Sequence, residues 1–557
     1  MAERIKTRFA PSPTGYLHVG GARTALFNYL LARRAGGTLL LRIEDTDRAR
    51  HDEAAVVKII EDLRWLGIDW DEGVELGPSG RLAAKGPNGP YRQSERLDVY
   101  RKYVDQLLEA GRAYHAFDTP AELEAMRAAA RAEKRGFRYP RPDPLPTGAD
   151  ADKVRAEGRP VVVRFLCPNE DVAIHDEAFG EVTWPAAEQD DFIILKDDGY
   201  PTYHLANVVD DALMGVTYVM RGQEFLGQTW RQKLLREALG FDEPRYCHLP
   251  LILNTDNSKL SKRDKAKAAR QAARQFVKDN GRDALSRLLP DDVGDLDAFL
   301  DKKTDDAKTA ESLAGALGVA LPEIEVHDFR RAGYLPEALV NFIALLGWRP
   351  GGNREKLTVG ELIELFGVDR IGKANAKFDR DKLLAFNTDA AAAAEEDRLL
   401  AGFTDYLALN PDAPGPIPTG DEGLLRRLLR VNKGLRTFAD IPARCGVLFA
   451  PDDAFEYDDK AVGKVLRKGG GAGYRVLADL RGRLAECQWT AEALETLLRD
   501  YCQANELGMG KVAQPIRVAV TGTTVSPAIF DTLMLLGREK TLARIDRCLA
   551  QGGADGA

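Results

Sequence analysis

Cysteine is scarce and scattered in this sequence. The six present, Cys167, Cys247, Cys445, Cys487, Cys502 and Cys548, stand singly with no C-x-x-C spacing among 557 residues. That pattern argues against both a disulfide framework and a zinc knuckle. Long apolar runs are missing as well, since no stretch approaches the ~20 residues that a bilayer span requires. The first residues, MAERIKTRFAPSP, carry charge but no apolar core segment and no small-residue cleavage site, so the expected location is the cytoplasm. Positive charge is not in excess: 78 Lys and Arg against 86 Asp and Glu leave a net charge of −8. Nucleic-acid binding follows local patches rather than totals, so this value neither advertises nor excludes such a partner. There is no internal repeat. What remains is the composition of a soluble globular protein, 44% hydrophobic and 29% charged, long enough for about three to five domains.

Two short stretches carry chemistry. PSPTGYLHVGGART (11–24) follows the strand-like RIKTRF and opens a helical pattern, LHVGGARTALFNYLLARR. A strand–loop–helix junction of this kind aims backbone N–H groups and the positive end of a helix dipole at one point, which suits phosphate. His18 places an imidazole there, and Gly20 and Gly21 allow close approach to the backbone. SKLSKRD (258–264) gathers Lys259, Lys262 and Arg263 within five residues after another strand-like run, YCHLPLILN. Clustered cations suit a polyphosphate whose charge grows on a leaving group. Each stretch alone also fits a plainer account, a generic helix entry and a solvated basic turn.

Between and beyond them the pattern changes several times. TLLLRIEDTDRAR reads as a second strand with Glu44, Asp45 and Asp47 at its carboxyl end, where open α/β sheets bind ligands. One of these acids is expected to cap the helix that follows. Residues 93–204 mix helices, a Pro-rich stretch and strand-like runs, and read as a domain inserted into a split nucleotide-binding fold. The α/β pattern resumes at YPTYHLANVVDD and RGQEFLG. Residues 265–326 begin as a basic helix and continue through acidic and small-residue stretches of low hydrophobicity, suggesting a surface excursion. An RNA contact by that helix is the alternative to a solvated face. From there the chain is almost purely helical, with separators at 410–423 and 467–475.

Together these blocks resemble the bacterial glutamyl-tRNA synthetases, within the class I aminoacyl-tRNA synthetases. HVGG (18–21) is similar to the family's HIGH-type motif and KLSKR (259–263) to its KMSKS-type motif. RIEDTD, YPTYHLANVVDD, RGQE, YLPEALVNFIALLGW and the C-terminal KVAQPIRVAVTG block occur in the family's order. The resemblance implies a Rossmann-like α/β catalytic domain in two halves, 1–92 and 205–258, split by an α/β acceptor-binding insertion, 93–204. A mostly α-helical stem-contact domain, 259–390 with its insertion 265–326, follows. Two α-helical anticodon-binding domains, 391–466 and 467–557, close the chain.

It also implies the reaction. Glutamate is activated by ATP to glutamyl-adenylate and transferred to the 3′ end of glutamate tRNA, with glutamine tRNA left open as a second substrate. Phosphoryl and nucleotidyl displacement depends on alignment and charge stabilisation, so no nucleophilic Ser or Cys constellation is needed. The implied catalytic residues are His18, Lys259 and Lys262. Thr14, His18, Gly20, Gly21, Glu224, Lys259, Ser261 and Lys262 would hold ATP, which brings Mg²⁺ as its counter-ion. Arg8 is expected to take the glutamate side-chain carboxylate, Arg221 a second carboxylate, and Glu44 the ammonium, with Ser12, Tyr203 and Asn207 lining the pocket. Arginine suits this task because its guanidinium pairs bidentately and stays charged.

Three departures stand out. Gly21 ends the first motif where others have histidine, and the stretch YHAFDTPAELEAM offers no cysteine at the place of a structural zinc, so no zinc is expected. Relatives usually have a short turn where this chain has residues 265–326. In VNKGLRTF, Gly434 falls where tRNA-discriminating enzymes place an arginine against the anticodon, with Arg436 two residues on. The chain is expected to work as a monomer, without a membrane.

Overall fold

The structure, a computed structural model, describes residues 4–47, 52–290, 293–413, 415–452 and 455–554. The end of the RIEDTDRAR block and Pro414 of the 410–423 separator lie outside the described residues. The chain divides into two compact units, Met1–Asp328 with Leu339–Arg380, and Phe329–Ala338 with Asp381–Ala557.

The first unit is built on parallel strands. β1 (Lys6–Phe9), β2 (Thr38–Leu41) and β3 (Glu72–Leu76) run parallel, and β4 (Leu82–Lys85) closes that edge antiparallel. The strand-like RIKTRF forms β1 without an exposed face, because Thr7, Arg8 and Phe9 are all buried. Helices cover both faces of such a sheet, so a polar strand residue must find an internal partner. Helix Val19–Arg34 links β1 to β2, and helix Glu53–Trp65 links β2 to β3. The latter is capped by Asp52, whose side chain accepts from Ala54 N; none of Glu44, Asp45 or Asp47 does that job, contrary to expectation. Asp45 instead accepts from the backbone and hydroxyl of Ser94, at 2.8 and 2.7 Å.

The region 93–204 is interleaved rather than inserted in one piece. β5 (Ala113–Ala116), β6 (Val162–Phe165) and β9 (Ile193–Leu195) form a separate antiparallel sheet, flanked by two helices with Thr119/Glu122 and Thr147/Asp150 capping boxes. The hairpin between them, β7 (Val172–Asp176) and β8 (Gly180–Trp184), returns to the catalytic sheet. There β10 (Tyr218–Gly222) pairs in parallel with β11 (Arg245–Leu249), and β11 with β7.

The two halves meet beside β1. Thr217 N donates to Lys6 O at 3.0 Å and its hydroxyl accepts from Lys6 N at 2.9 Å. The chain winds from β1 to β2 on one side and from β10 to β11 on the other. That makes the carboxyl ends of β1 and β10 a topological switch point, where open α/β sheets hold ligands.

The insertion is more ordered than its composition suggests. Helices Arg263–Asn280, Arg282–Leu288, Leu296–Leu300 and Ala307–Leu317 pack around Ala266, Ala269, Ala273, Leu285, Phe299, Ala310 and Leu313. Small alanines let the long helices approach closely, so a core forms from few large side chains. The second unit holds one buried cluster running from Leu335 to Cys548. The segments 391–466 and 467–557 therefore share a core, and Gly469, Gly470 and Gly471, all at positive φ, break the helical run between them.

Candidate active site

The loop after β1 delivers His18 as the cap of helix Val19–Arg34. Its Nδ1 accepts from Gly20 N at 2.9 Å, which leaves the ring proton on Nε2. Burial, followed by the nearby Lys262 charge, lowers its pKa to about 4. Nε2 is buried and has no hydrogen-bond partner among the described residues. The ring is thus a neutral donor that lines the cavity beside the Leu260 backbone. Gly20 leaves room for this arrangement, since a Cβ there would sit 3.2 Å from His18 Nδ1 and press on the ring. At Gly21 a Cβ would fall 2.8 Å from Leu17 Cδ1, so that glycine also serves internal packing.

The second motif follows β11. Asp264 fixes its turn by accepting from Ser261 N at 2.9 Å and from Asn254 Nδ2 at 3.0 Å. Lys262 Nζ donates to Tyr16 O at 3.2 Å and meets Glu325 Oε1 at 2.7 Å. Lys259 Nζ lies 4.0 Å from Glu224 Oε1.

Below these loops is a floor of buried charge. Arg8 Nε lies 3.3 Å from Asp211 Oδ1, which also meets Arg42 at 2.8 Å; Arg236 lies 3.5 Å from Asp211 Oδ2. Asp210 accepts from Arg96 at 2.7 Å, Tyr100 at 2.8 Å and Gln93 at 2.9 Å. Glu44 accepts from Asn207 Nδ2 at 2.8 Å and from Arg42 at 3.1 Å. Burial raises the Glu44 carboxyl and outweighs Arg42. At Asp211 burial also acts upward, but Arg8, Arg42 and Arg236 prevail and hold it near 2. Four guanidinium groups, of Arg8, Arg42, Arg96 and Arg236, face three carboxylates, of Glu44, Asp210 and Asp211, leaving one positive charge over.

Arg221 adds a second. Its partners are all neutral: Tyr203 OH at 3.1 Å, Thr229 Oγ1 at 2.9 Å and His248 Nε2 at 3.1 Å. Because Arg221 Nε must donate, His248 Nε2 must accept, and the imidazole proton sits on Nδ1, directed at Asp176 Oδ2 2.6 Å away. Burial lowers the His248 pKa to about 4, in keeping with a neutral ring.

Arg8, Glu44 and Arg221 from these networks open, with both motif loops, on one cavity of about 700 Å³. It is lined by Arg8, Ser12, Glu44, Tyr203, Asn207 and Arg221 of the expected glutamate pocket. The expected ATP residues Thr14, His18, Gly20, Gly21, Glu224, Lys259, Ser261 and Lys262 line it as well. Gly434 and Arg436 belong to the second unit. Gly434 has φ of +75°, and Arg436 is exposed, 3.4 Å from Asp440. Among the described residues no group of three His, Cys, Asp or Glu side chains is placed to hold a metal ion, and no helix is long and apolar enough to cross a membrane.

Residues 4–287 and 322–385 match the family described as tRNA synthetases class I (E and Q), catalytic domain, and residues 398–549 match an anticodon binding domain. The chain belongs to the class I tRNA synthetases. This synthetase is 39% identical over 564 residues to the glutamate–tRNA ligase of Porphyromonas gingivalis, and 35% identical over 547 residues to that of Moorella thermoacetica. Each match covers 98% of both chains. Its fold is similar to the crystal structure of a glutamate–tRNA ligase from Elizabethkingia meningosepticum in complex with its amino acid. There the TM-score is 0.73 at 31% identity, covering 98% of this chain and 99% of the other. The catalytic family's match leaves out 288–321, the heart of the insertion.

Several residues of the synthetase's site escaped motif reading. Arg42, Asp210 and Asp211 stood only inside quoted blocks, although charges within apolar runs such as LLLRIED and VVDD announce buried pairing. His248, Asp176 and Glu325 carried no local signal, because their partners lie far away in sequence.

Proposed function

We propose that this synthetase is a glutamate–tRNA ligase in which the cavity binds glutamate and MgATP side by side. The observation that carries the reading is charge: Arg8 shares Asp211 with Arg42 and Arg236, Arg221 has only neutral partners, and Glu44 stands beside them. Glutamate brings two carboxylates for Arg8 and Arg221 and one ammonium for Glu44, so each of its charged groups meets an opposite charge in the cavity. Glutamine's neutral amide would leave one guanidinium desolvated and unpaired, which costs a few kcal/mol in transition-state binding.

The α-carboxylate of glutamate attacks the α-phosphorus of ATP, and pyrophosphate departs. His18 donates from Nε2 to a phosphate oxygen, while Lys259 and Lys262 stabilise charge on the transferring and departing phosphates. A hydroxyl of the tRNA's terminal adenosine then attacks the acyl carbon, and AMP leaves. The interleaved region 93–204 would receive the acceptor end, residues 259–390 the stem, and the helical unit the anticodon. The chain would work as a monomer in the cytoplasm, where its substrates are.

The test is ATP–pyrophosphate exchange with purified glutamate tRNA present. Exchange should require glutamate and fail with glutamine; equal exchange with both amino acids would end the reading. Glutamine tRNA is a candidate second substrate because the positive φ of Gly434 disfavours any side chain there, including a discriminating arginine. Charging of purified glutamine tRNA decides that point, and no product would exclude it.

A further inference from the structure

The insertion returns to the active site through a short segment whose backbone is fastened to the first motif. Val19 N donates to Ile324 O at 3.1 Å, and Val326 N donates to Leu17 O at 2.8 Å, bracketing His18 with an antiparallel bridge. The segment's own turn is fixed by Asp328, whose Oδ2 accepts from both Ile324 N and Glu325 N at 2.9 Å. Glu325 is thereby presented beside the second motif. One of its oxygens meets Lys262 Nζ at 2.7 Å and the other meets Lys265 Nζ at 2.9 Å, while Lys265 also meets Asp328 Oδ1 at 2.7 Å. Glu325 and Lys265 are largely buried, with side-chain exposures of 14% and 10%, whereas Lys262 is 43% exposed. Burial pushes the Glu325 carboxyl up, but the two lysines outweigh it and hold it below the usual range. So the lysine that must reach the triphosphate already has a carboxylate partner on a fixed backbone.

We infer that Glu325 is a resident counter-ion that occupies Lys262 until a triphosphate competes for it, and that Lys265, bound to the same carboxylate, weakens that hold. This inference rests on the function proposed above. Before ATP binds, the ion pair keeps the half-exposed Lys262 charge compensated beside the neutral His18. When ATP enters, its phosphates take Lys262, and Glu325 keeps Lys265 as its partner, so the carboxylate is never left alone. Glu325 is a positioning residue, acting on ATP through Lys262. The apparent affinity for ATP is reduced by the fraction of molecules in which Lys262 is released.

The experiment measures equilibrium binding of MgATP to the full-length chain by calorimetry, alongside exchange kinetics. Glu325→Gln should lower the dissociation constant for ATP about fivefold, corresponding to a lysine released roughly one-fifth of the time. Lys265→Met should raise it, since Glu325 then serves Lys262 alone. In the double variant the Lys262–Glu325 pair is already gone, so Lys265→Met has no hold left to strengthen and ATP binding should equal that of Glu325→Gln. Simple additivity of the two single effects would overturn the inference, because it is what two independent long-range charges give. Unchanged or weaker ATP binding in Glu325→Gln would also overturn it. Should that variant not fold, Lys265→Met carries the test: it must weaken ATP and leave glutamate's KM alone, and equal ATP affinity refutes the hold. Loss of glutamate-dependent exchange in the unaltered chain would instead refute the proposed function, which keeps the two failures apart.

Discussion

The floor and the rim of the cavity use the same chemistry at opposite extremes of burial. On the floor, Arg8, Arg42, Arg236, Asp210 and Asp211 are all less than about a twentieth exposed and are locked in shared ion pairs. On the rim, Lys259 and Lys262 have side chains 59% and 43% exposed, each facing a single carboxylate. A guanidinium held on several sides is aimed before a substrate arrives, so under the proposed function selectivity for the carboxylates of glutamate would reside there. A lysine on a loop can follow the phosphates as they separate. Fixed charges select, and movable ones serve the reaction.

The sharpest way to break this comparison is at Asp211. Asp211→Ala leaves Arg8, Arg42 and Arg236 without their common partner, and chemical denaturation should show the first unit destabilised by about 3–5 kcal/mol. Lys262→Ala should behave oppositely. Single-turnover adenylate formation should slow about 10²- to 10³-fold, while the unfolding transition and tRNA affinity stay where they were. A large stability loss there would erase the distinction between floor and rim.

Acid unfolding sharpens it further. His18, His204 and His248 have folded pKa values of about 4, 3 and 4, each lowered first by burial, against an unfolded value near 6.5. Below pH 6.5 the unfolded chain binds more protons than the folded one. Stability should therefore fall as pH drops from 6.5 toward 4, by about 1.4 kcal/mol per pH unit for each histidine. Replacing His204 with Phe should reduce the slope by one histidine's share in denaturation series across that range. The smallest expected effect is at His248. His248→Asn loosens the orientation of Arg221 and should raise the KM for glutamate about tenfold, near 1.4 kcal/mol, with the KM for ATP unmoved. Equal changes in both would mean that the His248–Asp176 pair merely supports the fold.

Much of this was legible in the sequence. HVGG, KLSKR, RIEDTD and the NVVDD block named residues that the structure gathers into one cavity, because each motif is a local geometry, a helix cap or a tight turn, that short-range sequence dictates. The hairpin Val172–Trp184 was not legible as part of the catalytic sheet: its pairing partner β11 lies some seventy residues away, and strand pairing leaves no mark on the strand's own composition. The helical packing of the insertion was missed because a core made of alanines barely registers as hydrophobic. The helix cap was misplaced from the RIEDTD acids to Asp52 because cap preference names residue types, not positions.

By itself, then, the sequence determined the class of fold, the order of its blocks and many of the polar residues that line the cavity, since those follow from local periodicity and from motifs of fixed spacing. Only the tertiary structure decided which charges cancel. The sharing of Asp211 among Arg8, Arg42 and Arg236, the proton position on His248 and the hold of Glu325 on Lys262 all depend on partners brought within 4 Å from tens or hundreds of residues away. Electrostatic energy depends on separation in space and on burial, and neither quantity is written along the chain.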